Sequence, residues 1–129
     1  LKTEQLDWKS CSEANSIRWI LTHLSEELHV YFPQFVPTLA PPKNWPKDYL
    51  GNQKYSLEKI MADIEKGKQN LMKGLDKLKP AQLEEEVDMW GTKAKRGYAI
   101  MMMISEILHH EGQIAAIRGL EKRMKGENK

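Results

Sequence analysis

The chain has 129 residues, 40% of them hydrophobic, which is enough for one compact domain over residues 1–129 and too few for two. Its 20 lysines and arginines nearly balance its 18 aspartates and glutamates, so the charge gives no basis for binding nucleic acid or a membrane surface. A single cysteine, no signal-peptide pattern and no apolar run of bilayer length favour a cytoplasmic protein without disulfides.

The first predicted helix begins at Ser12 or Ser16, either of which is a good N-cap, and ends near Tyr31. We expect Pro33 to stop it, because proline removes a backbone donor and clashes with the preceding turn. The helix has an apolar stripe at helical spacing: Ile17, Ile20, Leu24, Leu28 and Tyr31.

A proline-rich segment follows, over residues 32–54, and its five prolines rule out a continuous helix. We predict a long loop. Such length inside a compact domain is consistent with a lid or pocket wall, although a plain connecting loop is the more common case.

Two further helices are predicted in the second half of the chain. The second begins after the N-cap Ser56 and ends near Leu78, and its buried stripe includes Gly67 and Gly74, where a neighbouring segment can approach closely. After a turn around Gly91, the third helix runs over residues 95–124. No segment shows the alternation of a β-hairpin, so the predicted fold class is all-α.

The third helix carries the candidate chemistry. One face places Glu106, His109, His110 and Gln113 among apolar residues. Glu106 and His110 lie one turn apart and can reach a common point, and His23 on the first helix is the natural third ligand. Two histidines and a carboxylate suit zinc, iron or nickel, and three ligands with an open position are typical of a catalytic site.

Two alternatives stay open. The opposite side of the third helix is also apolar, so the polar cluster could face solvent instead; that side carries Met101, Ile104, Leu108 and Ala115. Glu27, one turn after His23, could accept a hydrogen bond from that ring, but a surface glutamate is the simpler interpretation.

Two stretches resemble the DinB-like family. Residues 4–9 (EQLDWK) and 15–24 (NSIRWILTHL) are similar to the family's "eqLnW" turn followed by its "nSIxWlLxHL" helix. Residues 107–114 (ILHHEGQI) are similar to the "HHxGQI" helix. The ordered pair spans nearly the whole chain.

The resemblance implies an up-down four-helix bundle with a divalent metal held by three histidines. His23 takes the first of these positions and His110 the last, while Glu106 stands at the middle one. The family's first helix would precede Leu1; without it an apolar groove is exposed, so we expect a homodimer.

The resemblance also implies a reaction. Characterised relatives include thiol-dependent S-transferases, in which the metal activates a low-molecular-weight thiol for attack on an electrophile. On that model His23, Glu106 and His110 hold the metal, and the proline-rich loop helps to enclose the substrate. The competing hypothesis is a non-catalytic helical dimerisation or binding module with a degenerate metal site.

Overall fold

The computed structural model describes residues 1–127. The elements in chain order are a 3-10 turn at Thr3–Gln5, α1 (Ile17–Glu26), a π-helical turn (Glu27–Tyr31), α2 (Phe32–Phe35), α3 (Leu57–Asp76), α4 (Pro80–Leu83), β1 (Glu86–Met89), β2 (Thr92–Lys95) and α5 (Arg96–Met124). The fold is predominantly helical, as the sequence predicts, and its long helical segments match the predicted ones. No helix among residues 1–127 is long and apolar enough to cross a membrane.

The first helix starts and ends for identifiable reasons. The Ser16 hydroxyl accepts a hydrogen bond from the Trp19 backbone N–H at 3.1 Å, so Ser16 is the N-cap and Ser12 is not. The prediction that Pro33 ends the helix is wrong, because the chain continues helically to Phe35. A π-helical turn precedes Pro33, which lies in the first turn of the next α-helical segment, where the donor that proline lacks is least needed.

The second predicted helix is confirmed as α3. Ser56 caps it by accepting from the Lys59 backbone N–H at 3.1 Å. The expected close approach at the glycines is also found: a Cβ added to Gly67 would lie 2.7 Å from Leu28 Cβ, and one added to Gly74 would lie 2.6 Å from Leu39. Both glycines therefore let neighbouring segments pack directly on the α3 backbone.

The sequence predicted no β-hairpin, and this prediction is wrong. β1 and β2 pair antiparallel, with Met89 opposite Thr92, and the two-residue turn between them is formed by Trp90 and Gly91. Each strand has only four residues, too few to show a clear alternation, and charged side chains occupy much of both. The turn predicted at Gly91 is present.

The orientation of α5 decides between the two alternatives for its faces. Ala99, Met103 and His110 are buried, whereas Met101 and Leu108 are 63% and 65% exposed. The face that contains His110 thus looks into the bundle against α1, and the alternative in which the opposite face forms the core is wrong.

Candidate metal centre

The fold brings together His23, Glu27 and His110. One potential ligand atom from each lies within 4.8 Å of the others. His23 is near the end of α1 and Glu27 begins the π-helical turn one helical turn later, while His110 reaches across from the middle of α5. Glu27 Oε1 is 3.4 Å from His23 Nε2 and 3.6 Å from His110 Nε2, so the carboxylate lies between the two rings.

The cluster is poorly solvated. The Glu27 side chain is 5% exposed and that of His110 is 8% exposed, whereas His23 retains 25%. Within the described part of the chain, Glu27 Oε2 and His110 Nε2 have no hydrogen-bond partner. A buried carboxylate oxygen and a buried ring nitrogen without hydrogen bonds are costly, and a cation bound between the three side chains would remove that cost.

The neighbour of His110 fixes which ring nitrogen is available. His110 Nδ1 lies 2.7 Å from the Gln113 amide oxygen, which can only accept, so Nδ1 carries the hydrogen. In the neutral ring Nε2 then presents a lone pair toward Glu27. Two lone pairs that face each other at 3.6 Å repel unless a proton or a metal ion lies between them.

Neighbouring carboxylates raise the pKa of His23. A hydrogen bond to Glu27 raises the pKa of His23 above its usual value, and the charges of Glu27, Glu26 and Glu106 act in the same direction, while burial opposes them. The indole of Trp19 stacks on the His23 ring at 5.0 Å and holds its orientation. Protonated His23 can therefore balance the charge of Glu27 when no metal is bound.

The spacing of the donor atoms suits a metal ion. Two ligands about 2.0–2.1 Å from zinc at a tetrahedral angle are about 3.4 Å apart. The separations from Glu27 Oε1 to the two Nε2 atoms, 3.4 and 3.6 Å, are close to this value. Two imidazoles and one carboxylate are also a common ligand set for zinc and for non-haem iron.

Glu106 lies at the edge of the cluster. Its side chain is 47% exposed, and its Oε2 is 3.9 Å from His110 Nε2. The structure thus places His23 and His110 together as the sequence predicts, and puts Glu27 between them and Glu106 beside them. The interpretation of Glu27 as a surface residue is wrong, because α5 covers it; its spacing of four from His23 was the available signal.

The other two histidines, His29 and His109, lie outside the cluster. His29 Nε2–H donates to the Asp63 carbonyl at 2.8 Å, and its ring stacks on Trp45. His109 is exposed, with its ring 5.4 Å from that of His110.

A pocket of about 270 Å³ opens beside the cluster. Its lining residues are His23, Glu27, Tyr31, Met89, Trp90, Met102, Met103 and Glu106. The proline-rich loop was expected to enclose a substrate here, but within residues 1–127 the β1–β2 hairpin provides that wall instead. The loop packs against α3, where Tyr49 donates to Asp63 Oδ2 at 2.7 Å.

The fold and the cluster define a class: helical proteins with a histidine and carboxylate centre suited to a divalent metal. Residues 1–114 match the family model of the DinB superfamily. The chain belongs to the DinB superfamily. No curated protein and no solved structure matches it.

Proposed function

We propose that this protein is a divalent-metal-dependent enzyme whose metal is held by His23, Glu27 and His110. The observation that carries the proposal is the pair of buried, unpartnered atoms, Glu27 Oε2 and His110 Nε2, in a cluster already spaced for a metal. Zinc, nickel and iron all fit two imidazoles and a carboxylate. Three protein ligands leave a coordination position open, and the adjoining pocket gives a substrate access to it.

Glu106 remains part of the proposed site. The sequence suggested it as a metal ligand, and its carboxylate, 3.9 Å from His110 Nε2, lies close enough to join the set. Its greater exposure and its position in the pocket wall favour a different role, which is to accept a proton from a bound substrate. We propose that Glu106 is a proton acceptor. Loss of the metal in Glu106→Gln would show instead that Glu106 is a metal ligand.

The reaction we propose is transfer of a low-molecular-weight thiol to an electrophile, as the family resemblance implies. When bound, the metal would lower the pKa of a coordinated thiol. Glu106 would take the thiol proton, and the sulfur would form a bond to the electrophilic carbon. With an activated alkene, the proton returns to the neighbouring carbon, so nothing is released. Reduced thiols are abundant in the cytoplasm, which is the compartment we propose.

The primary test is the metal content of protein purified without an affinity tag or chelator. We expect close to one equivalent of a transition metal, lost in His23→Ala and in His110→Ala. The matched control is His109→Ala, an exposed histidine beside His110, which should retain the metal. Protein without metal, or metal retained by the two cluster variants, would overturn the proposal.

A non-catalytic binding module is the second candidate. The observation in its favour is the 3.4 Å contact between His23 Nε2 and Glu27 Oε1, because a protonated His23 balances Glu27 without any metal. For this candidate, metal-free protein should be as stable as protein incubated with zinc, nickel or iron. A rise in melting temperature with metal would exclude it, because ligands that bind the folded state stabilise it.

A further inference from the structure

The pocket beside the cluster has an unusual composition. Apart from His23 and Glu27, its walls are two aromatic rings, three thioethers and one carboxylate, provided by Tyr31, Trp90, Met89, Met102, Met103 and Glu106. Among the described residues that line it, none is a lysine or an arginine. The pocket therefore combines apolar, polarisable walls with a net negative charge, because a protonated His23 is balanced by Glu27 at 3.4 Å and Glu106 remains.

Trp90 occupies a backbone position that does not suit it. It is the first residue of the hairpin turn and has a φ of 50°, followed by Gly91 at 94°. Turns with two positive φ values favour asparagine, aspartate or glycine at the first position, and a bulky residue there is strained. The indole is also 57% exposed, so burial in the core does not offset this cost.

The Trp90 ring is nevertheless fixed in place. Its Nε1–H donates to Gln34 Oε1 at 3.2 Å, and it meets Phe35 and Tyr31 edge to face at 5.2 and 6.2 Å. A strained turn thus holds a large ring at the wall of the pocket. Backbone strain of this kind is most often retained where it serves a site.

We propose that this pocket binds the apolar body of the electrophilic substrate, a small ring-containing molecule that is uncharged or carries an amine. Its role as a substrate site rests on the proposed function. Trp90, Met102 and Met103 all line the pocket, and contacts of thioether sulfur with a bound ring are favourable. Glu106 attracts an amine and repels an anion; the lining residue His23 does not offset this, because its charge when protonated is balanced by Glu27 at 3.4 Å.

The test uses three probes that share one ring: 2-naphthylmethanol, 2-naphthylmethylamine and 2-naphthoate. Binding to metal-free protein is followed through the methyl NMR signals of the pocket methionines, with EDTA present. Because Glu106 is half exposed, we expect the amine to bind about fivefold more tightly than the carboxylate, with the alcohol between them. Preferred binding of 2-naphthoate would overturn the proposal.

Two variants distinguish the contribution of the Trp90 ring to probe binding from that of the Glu106 charge. Trp90→Asn should weaken binding of all three probes by about tenfold; the protein should stay folded, because asparagine suits the positive φ and this offsets part of the lost contacts to Gln34, Phe35 and Tyr31. Glu106→Gln should remove the difference between amine and carboxylate. The control is Met72→Asn, which removes a large apolar side chain of similar exposure, 55%, outside this pocket.

The outcomes distinguish this inference from the proposed function. Probe binding without any metal uptake would overturn the metal-dependent enzyme and leave the pocket assignment intact. Metal uptake without probe binding, or equal binding by Trp90→Asn and the unsubstituted protein, would overturn the pocket assignment alone.

Discussion

At the scale of single residues, the pairing of Asp7 with Arg18 links the N-terminal segment to α1. Arg18 is 4% exposed, and its guanidinium donates to both Asp7 oxygens at 2.7 and 2.9 Å. It also donates to the Tyr55 carbonyl. A buried guanidinium depends on such partners, because an unpaired buried charge is strongly destabilising.

We expect Asp7→Asn to lower the free energy of unfolding by about 2 kcal/mol, because Arg18 keeps its charge and loses its counter-ion. Arg18 also lowers the pKa of Asp7 below its usual value. The folded pKa is below the unfolded one, so this stabilisation is present above the unfolded pKa and is lost as the pH falls through the folded pKa. Urea denaturation across acidic pH measures both effects.

The control for this prediction is Asp48→Asn. Asp48 pairs with Lys54, and both side chains are more than half exposed. Exposed ion pairs contribute little, so the free energy of unfolding should hardly change. An equal loss of unfolding free energy in Asp7→Asn and Asp48→Asn would show that the burial of Arg18 does not determine the effect.

Gln113 is a positioning residue, since it acts on the site only through His110. Removing its oxygen in Gln113→Ala should weaken metal binding about 10- to 100-fold, because the ring is then free to place its hydrogen on Nε2. Gln113→Glu keeps the acceptor and should bind nearly as well. Metal titration gives the affinities and ¹⁵N NMR of the ring gives the tautomer; unchanged affinity and tautomer in Gln113→Ala would refute the role.

At the scale of elements, Gly67 controls how closely the first helix packs on α3. We expect Gly67→Ala to destabilise the protein by about 1–2 kcal/mol, because its Cβ would lie 2.7 Å from Leu28 Cβ and 3.0 Å from His29 Nε2. The matched control is Gly112→Ala in α5, where a Cβ meets nothing within 4 Å and the helix gains about 1 kcal/mol. Thermal unfolding of both variants measures the contrast, and stabilisation of both would contradict the crowded packing.

At the scale of the whole molecule, the homodimer expected from the sequence stays a prediction. The exposed side of α5 has a row of uncharged residues at helical spacing: Tyr98, Met101, Ser105, Leu108, Gly112 and Ala115. Large side chains at one end and small ones at the other would fit an antiparallel pair of these helices from two copies. A symmetric pair buries such a row against itself without opposing charges.

We therefore expect a dimer in size-exclusion chromatography with light scattering, and a monomer for Leu108→Glu, which puts a charge in the middle of the row. Met72→Glu is the control, because Met72 is comparably exposed, at 55%, on α3. A monomeric unsubstituted protein would end this prediction.

The sequence by itself determined the local features. Ser16 and Ser56 cap their helices as predicted, and periodic apolar residues fixed the extent of α3. Residue spacing and the position of His23 on the first helix pointed to His110 and His23 as neighbours, and the structure brings these two side chains together. These features depend on neighbours within a few residues, so a single sequence contains the information.

Only the tertiary structure decided what depends on remote packing. Glu27 is buried because α5 covers it, and Trp90 faces the pocket because a hairpin with no clear sequence pattern returns beside α2. Burial, and with it the lack of hydrogen-bond partners for Glu27 Oε2 and His110 Nε2, is a property of surfaces in contact rather than of spacing along the chain. The sequence therefore indicated the two histidines, whereas the fold placed the carboxylate between them.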